Sequence, residues 1–290
     1  VAFNDLPADL RMLMQAEKWT SQYLLEENNI VAQLSVMEDT NLYRAYLQNI
    51  SLVFPELLKR GSIASAARLV KILATHARDH EHQIRQGMAQ ITLMDLGCQE
   101  NVDHLQTFLV HDDRPTRQVA IAMVRQFSYK GAEALLEVLS ESDDTAVRRD
   151  VLAALEGMGV TIRALLEERL QVPGLPWYVY RNLLLLVGRV GSAGAMEDVK
   201  RFVSFMDPRV REQALQTLFT QLGDKAIPCI LPALRDRDWR VARRAMVLLS
   251  DLDCRHSQFL KSLASLFNAE EQTPGPEQST VLRRSALEAI

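Results

Sequence analysis

In residues 207–218, Asp-Pro-Arg-Val-Arg-Glu-Gln-Ala-Leu-Gln-Thr-Leu, apolar side chains stand at Val210, Ala214 and Leu218 with charged and amide residues between them. A spacing of four places all three on one stripe of an α-helix. Asp207 is suited to cap that helix and Pro208 to its first turn. The pattern recurs. Anchored on Val210, the equivalent positions are Ile84, Thr116, Val147, Val179, Val241 and Leu282, with steps of 31 or 32 residues and a last step of 41. Helical periodicity nested in such a repeat predicts an all-α protein, an α-α superhelix of about seven helix pairs in which each pair covers its neighbour's apolar flank.

The chain divides on the same evidence. Residues 1–60 lack the repeat and read as an N-terminal helical cap, with Leu10, Leu13, Met14, Trp19, Tyr23 and Leu24 in amphipathic segments. A further helix opens at Asp39, turns Leu42, Tyr43, Tyr46, Leu47 and Ile50 inward, and is expected to kink or break at Pro55 and to end at Gly61. Residues 61–290 read as the repeat array. Its first helices are expected near 63–77, 101–111, 131–140, 161–171, 193–206, 225–235 and 256–268, each followed by a second helix carrying the anchor. Gly97, Gly131, Gly159, Gly191 and Gly223 mark the junctions, where a left-handed residue ends a helix. The long last step is a loop insertion at 269–279 containing Pro274-Gly-Pro276. Residues 281–290 form most of a repeat helix without a stop signal, so the array is expected to continue in a longer parent chain.

Three positions before the anchors stand Glu81, Asp113, Asp144, Pro176, Asp207, Asp238 and Ser279, and one position after them stand Arg85, Arg117, Arg148, Tyr180, Arg211, Ala242 and Arg283. The motif Asp-x-x-Val-Arg-x-x-Ala-Leu resembles the HEAT-repeat family, in particular the short HEAT-like units of phycobilisome lyases. The resemblance covers residues ~62–290. It implies that Asp113, Asp144, Asp207 and Asp238 cap second helices, while Arg117, Arg148 and Arg211 pair with acids of neighbouring repeats. A carboxylate can accept helix N-terminal amides and still receive a guanidinium fork, so the physical reading agrees. Pro176, Tyr180 and Ala242 depart from the motif, and the ladder is expected to be interrupted there.

Composition narrows the function. Of 290 residues, 48% are hydrophobic but only 6% aromatic, and the net charge of −4 offers no global field for nucleic acid or anionic lipid. Cys98, Cys229 and Cys254 form no CxxC pair and read as reduced thiols serving as small hydrophobes, which places the chain in the cytoplasm. No apolar run is long enough to span a bilayer. Neither a phosphate-binding glycine loop nor a nucleophile-base set is present, so no catalytic residue and no cofactor is assigned.

One histidine group stands out: His76 and His80 share a helical spacing of four, with His82, Asp79 or Glu81 as a third metal ligand, though a polar helix end explains the same residues. Its His80-Glu81 pair is similar to those of deoxyhypusine hydroxylase, a HEAT-like di-iron enzyme, but that enzyme needs several pairs in different repeats and this chain has one. No metal site is assigned. The favoured surface is a polar column two positions after the anchors, Gln86, Gln118, Arg149, Arg181, Glu212, Arg243 and Arg284, with Asp150, Asn182, Gln213 and Arg244 beside it. In HEAT-like solenoids the second helices line the concave side, so this column would face whatever occupies the groove. Trp177, Tyr178 and Trp239 would add an aromatic binding edge, since aromatic and arginine side chains dominate binding hot spots. The function expected is a non-catalytic scaffold gripping a helix or extended peptide of another protein. The alternative is nucleic-acid binding through Arg235, Arg237, Arg240, Arg243 and Arg244, diluted by Asp236, Asp238, Asp251 and Asp253.

Overall fold

The computed structural model describes residues 7–250, apart from the side chains of residues 8–10. Loop insertion 269–279, the anchor Leu282, Arg283, Arg284 and Cys254 lie outside the described residues. Contacts divide the chain into two compact units, 1–158 and 159–290. Among the described residues there is no strand, and each unit is built of paired helices.

The first unit holds α1 (Ala8–Ser35), α2 (Thr40–Lys59), α3 (Ile63–His76), α4 (Gln83–Leu96), α5 (Gln99–Leu109), α6 (Arg114–Val124), α7 (Ser128–Glu141) and α8 (Thr145–Glu156). α1 and α2 pack on one another and on α3; the pairs α3/α4, α5/α6 and α7/α8 then follow in file. α1 departs from the expected pattern. Its inward face is Ala16, Thr20, Tyr23 and Leu34, while Leu13 and Met14 are exposed. On α2, Tyr43, Leu47 and Ile50 are buried, but Leu42 is half exposed. Pro55 neither breaks nor ends α2, which continues to Lys59. Burial of Phe54, Leu57 and Leu58 on both sides of the proline holds the chain helical despite the missing amide.

Gly61, at φ +71°, ends α2, and its neighbour's amide bonds back to the Leu57 carbonyl at 2.9 Å. Gly97 and Gly131 do not have this left-handed conformation. They are needed for close approach instead: a Cβ on Gly131 would lie 1.8 Å from the Val124 carbonyl oxygen, and one on Gly97 would lie 2.8 Å from the Phe127 Cβ. The turn between α6 and α7 is made by Ser128, whose φ of 49° and ψ of −121° resemble the 53° and −128° of Gly223.

The second unit holds α9 (Arg163–Gln171), α10 (Trp177–Val190), α11 (Met196–Arg201), α12 (Pro208–Leu222), α13 (Ile227–Ile230) and α14 (Trp239–Ser250). α12 packs between α10 and α14, and the shorter helices α9, α11 and α13 lie against these second helices. The expected first helices at 193–206 and 225–235 are only partly α-helical. Phe202–Ser204, Gly223–Ala226 and Leu231–Arg235 are 3-10 turns. Pro228 and Pro232 remove amides from residues 225–235, which favours short, tighter segments.

The anchors Val147, Val179, Val210 and Val241 are buried. Ile84 is not, at 65% exposed, and Thr116 is spent on a hydrogen bond to Asp113. α4 begins after His82, so Arg85, Ala89, Thr92 and Leu93 occupy the inward line and the repeat is set one residue later than the sequence spacing predicts.

Candidate functional site

The acidic caps form at each second-helix start with an Asp. Asp113 accepts the Thr116 amide at 2.9 Å, Asp144 the Ala146 amide at 2.6 Å, Asp207 the Arg209 amide at 2.9 Å and Asp238 the Arg240 amide at 2.9 Å. The Thr116 hydroxyl and amide hold the Asp113 carboxyl below the usual carboxylate range; Arg209 does so for Asp207 and Arg240 for Asp238.

The motif arginines tie two levels together. Arg117 donates through Nε and Nη2 to Asp150 at 3.1 and 2.8 Å, and through Nη1 to the His111 carbonyl at 2.6 Å. Arg211 repeats this arrangement: Nε and Nη2 reach Asp236 at 2.8 and 2.6 Å, and Nη1 reaches the Phe205 and Met206 carbonyls. Arg148 donates to the Ser142 carbonyl at 3.1 Å, six residues back like the His111 and Phe205 contacts. Each guanidinium therefore fixes the turn before its own helix. Arg117 and Arg211 also bind an acid of the following repeat.

Tyr180 takes over the turn-fixing role where the arginine is missing. Its hydroxyl donates to the Val172 carbonyl at 2.7 Å and accepts the Leu175 amide at 3.3 Å, and its ring packs on Phe202 and Phe205. The sequence places Asp150 in the exposed column, but the structure buries it as the partner of Arg117. Burial would raise its pKa, yet Arg117 and Arg114 hold it low. Periodicity alone could not separate a buried acid from a groove-facing one.

On the second helices, Arg149 of α8 is exposed, as are Arg181 of α10 and Arg243 of α14. Among the described residues none of these three guanidiniums has a hydrogen bond or ion pair. Arg149 belongs to the first unit; the others share the second with the aromatic residues. Gln213 is half-buried on α12, and Arg244 donates to Glu212 at 3.1 Å. Trp177 is half-buried and meets the exposed Tyr178 edge-on at 5.8 Å between ring centroids. The Arg209 guanidinium lies 3.2 Å from the centre of the Trp177 ring while Asp207 holds its other side at 3.0 and 2.7 Å. The repeat pattern carries no sign of this stack, although Arg209 stands next to the anchor Val210. Trp239 is also half-buried, and with Arg240, Arg243, Arg244, Glu212 and Val247 it lines an open hollow of about 450 Å³.

The histidines separate. α3 ends at His76, so His80 lies beyond it and the two do not share a helix face. His76 is 4% exposed, and its Nδ1 lies 2.9 Å from the Tyr43 hydroxyl. Asp79, Glu81 and His82 do bring ligand atoms within 4.8 Å of one another. Arg85 and His82 both bond the same Asp79 oxygen, and this pulls the Asp79 pKa down to about 2. A guanidinium already occupies the position a cation would take. Cys98 is exposed just before α5, contrary to the expected buried thiol, while Cys229 is half-buried.

Among the described residues no helix is long and apolar enough to cross a membrane. No family model matches the chain, and no curated protein matches it. Several solved structures are similar. Kap121p is 14% identical, with 99% of this chain and 38% of that chain covered and a TM-score of 0.44. An engineered protein is 15% identical, with 90% and 77% covered and a TM-score of 0.36. The complex of CpcE and CpcF of phycocyanin lyase from Nostoc sp. PCC7120 is 17% identical, with 76% and 94% covered and a TM-score of 0.31.

Proposed function

We propose that this chain is a non-catalytic interaction scaffold that holds a segment of another protein against the second helices of residues 159–250. The observation that carries this reading is the grouping of half-buried Trp177, exposed Tyr178 and the stacked Arg209 in one unit with the unpaired guanidiniums of Arg181 and Arg243. Rigid aromatic rings supply contact area at small entropic cost, and a stacked, carboxylate-held arginine is already ordered before a partner arrives. Unpaired guanidiniums favour a partner segment bearing carboxylates. Arg181→Glu with Arg243→Glu tests this. Both positions are exposed, so the array keeps its fold while the surface reverses charge. A partner captured by the unaltered chain should be lost from the variant; equal capture by both would defeat the proposal.

Nucleic-acid binding is the weaker reading. Of the basic group near α14, Arg240 is held by Asp238, Arg244 by Glu212, and Arg237 donates to the Met206 carbonyl at 3.0 Å. Phosphates would have to displace these carboxylates. A steep salt dependence of DNA or RNA binding would favour this reading over the scaffold.

A further inference from the structure

Three surface hollows differ in charge. One, between α1 and α2, is largely apolar and contains a single charged residue, Glu26. The hollow at α14 has two of its three arginines engaged by carboxylates. The third, of about 450 Å³, lies where the end of α3, the outer side of α4 and the turn from α6 to α7 meet. Its wall carries Arg78 and Arg125 and no carboxylate.

Both guanidiniums are held by neutral groups. Arg78 Nη2 donates to Gln126 Oε1 at 2.8 Å, and Arg125 Nη2 donates to the Gly157 carbonyl at 2.9 Å. Neither meets a carboxylate, and each keeps most of its N–H groups uncommitted. Gln90 and Gln126 add carboxamide donors at the wall, each using one contact to a backbone carbonyl at 3.1 and 3.3 Å. Ser128 completes the rim, and its φ of 49° is the sole positive value among the described non-glycine residues. Backbone strain of this kind gathers at ligand sites. On the other side the hollow is bounded by Phe127 and by Met94, which is 71% exposed.

We propose that this hollow is a binding site for a phosphate monoester whose ester group is apolar. Two guanidinium forks, two carboxamides and a hydroxyl offer more donors than one carboxylate can accept, whereas the terminal oxygens of a phosphate can use them. The volume lies in the range of small-ligand sites, and Met94 and Phe127 provide the apolar contact for the ester group. This site is in the first unit and independent of the surface proposed for a protein partner.

Phenyl phosphate, inorganic phosphate and phenol are the probes, titrated into the full chain and followed calorimetrically. Phenyl phosphate should bind most tightly and phenol should give no isotherm. Arg78→Gln and Arg125→Gln should each weaken phenyl phosphate about tenfold or more, the loss of one charge-assisted contact. Met94→Glu breaks no hydrogen bond and should abolish binding by repulsion, which keeps the test valid if an arginine variant proves less stable. Arg149→Gln should change nothing. Unaltered affinity in both arginine variants and in Met94→Glu, or no binding of phenyl phosphate to the unaltered chain, would overturn the proposal.

Discussion

Arg117 and Asp150 stand 33 residues apart, yet Arg117 Nη2 lies 2.8 Å from Asp150 Oδ2, with both side chains almost fully buried. The pair joins the start of α6 to α8 in the next repeat, and the same guanidinium closes the turn before α6. Removing one partner would strand a buried charge. Asp150→Ala is expected to cost about 3–5 kcal/mol, whereas Arg117→Met combined with Asp150→Leu should cost much less because neither charge remains. Denaturant unfolding of the single and double variants measures the difference. A double variant as unstable as the sum of the two single ones would contradict this role.

The buried Tyr43–His76 pair makes stability depend on pH in a stated direction. Burial first, then Arg85, lowers the His76 pKa below its ordinary 6.5, so the unfolded chain binds more protons as pH falls from that value. Stability is therefore full above pH 6.5 and declines as pH drops toward the folded pKa. Burial also raises Tyr43 to about 12, against the effect of Arg85, so a second loss is expected as pH rises above 10. Tyr43→Phe leaves the His76 Nδ1 without its hydroxyl partner and should cost about 1–3 kcal/mol at neutral pH. Thermal melts between pH 5 and 8 check the acid limb, and His76→Phe should flatten it.

Two turn residues should respond oppositely to substitution. Ser128→Gly relieves a backbone conformation natural to glycine, as at Gly223, and should stabilise the chain by about 1 kcal/mol. Gly131→Ala should destabilise it by at least about 1–3 kcal/mol, because the new methyl group would meet the Val124 backbone carbonyl at 1.8 Å. Equilibrium unfolding of each variant separates the cases. A stable Gly131→Ala chain would show that α6 and α7 can move apart.

The helix pairs were legible because their cohesion comes from apolar stripes with a local period. Val147, Val179, Val210 and Val241 could be placed from spacing alone and Asp207 read as a cap from its own sequence, whereas caps at Asp113, Asp144 and Asp238 were what the resemblance of the repeat motif implied. What escaped depends on contacts far apart in sequence or on backbone detail. Ile84 copies the spacing but is exposed, since the start of α4 at Gln83 sets the face one residue later. Asp150 falls in a polar column by its spacing, and its burial comes from Arg117, a repeat away. Pro55 has the usual mark of a helix break, and burial around it overrides that preference. The Arg209–Trp177 stack joins adjacent repeats, and no single-repeat pattern contains both residues.

The protein-binding surface has one direct test. A photo-crosslinking amino acid placed at Tyr178 should form adducts with a partner protein in a lysate of the native source. The same group at Leu25, 87% exposed on α1, should not form them. Protease-sensitive, nuclease-resistant adducts at position 178 that disappear on Arg181→Glu with Arg243→Glu are the predicted result. Adducts of equal yield from both positions, or only nuclease-sensitive adducts at 178, would contradict it.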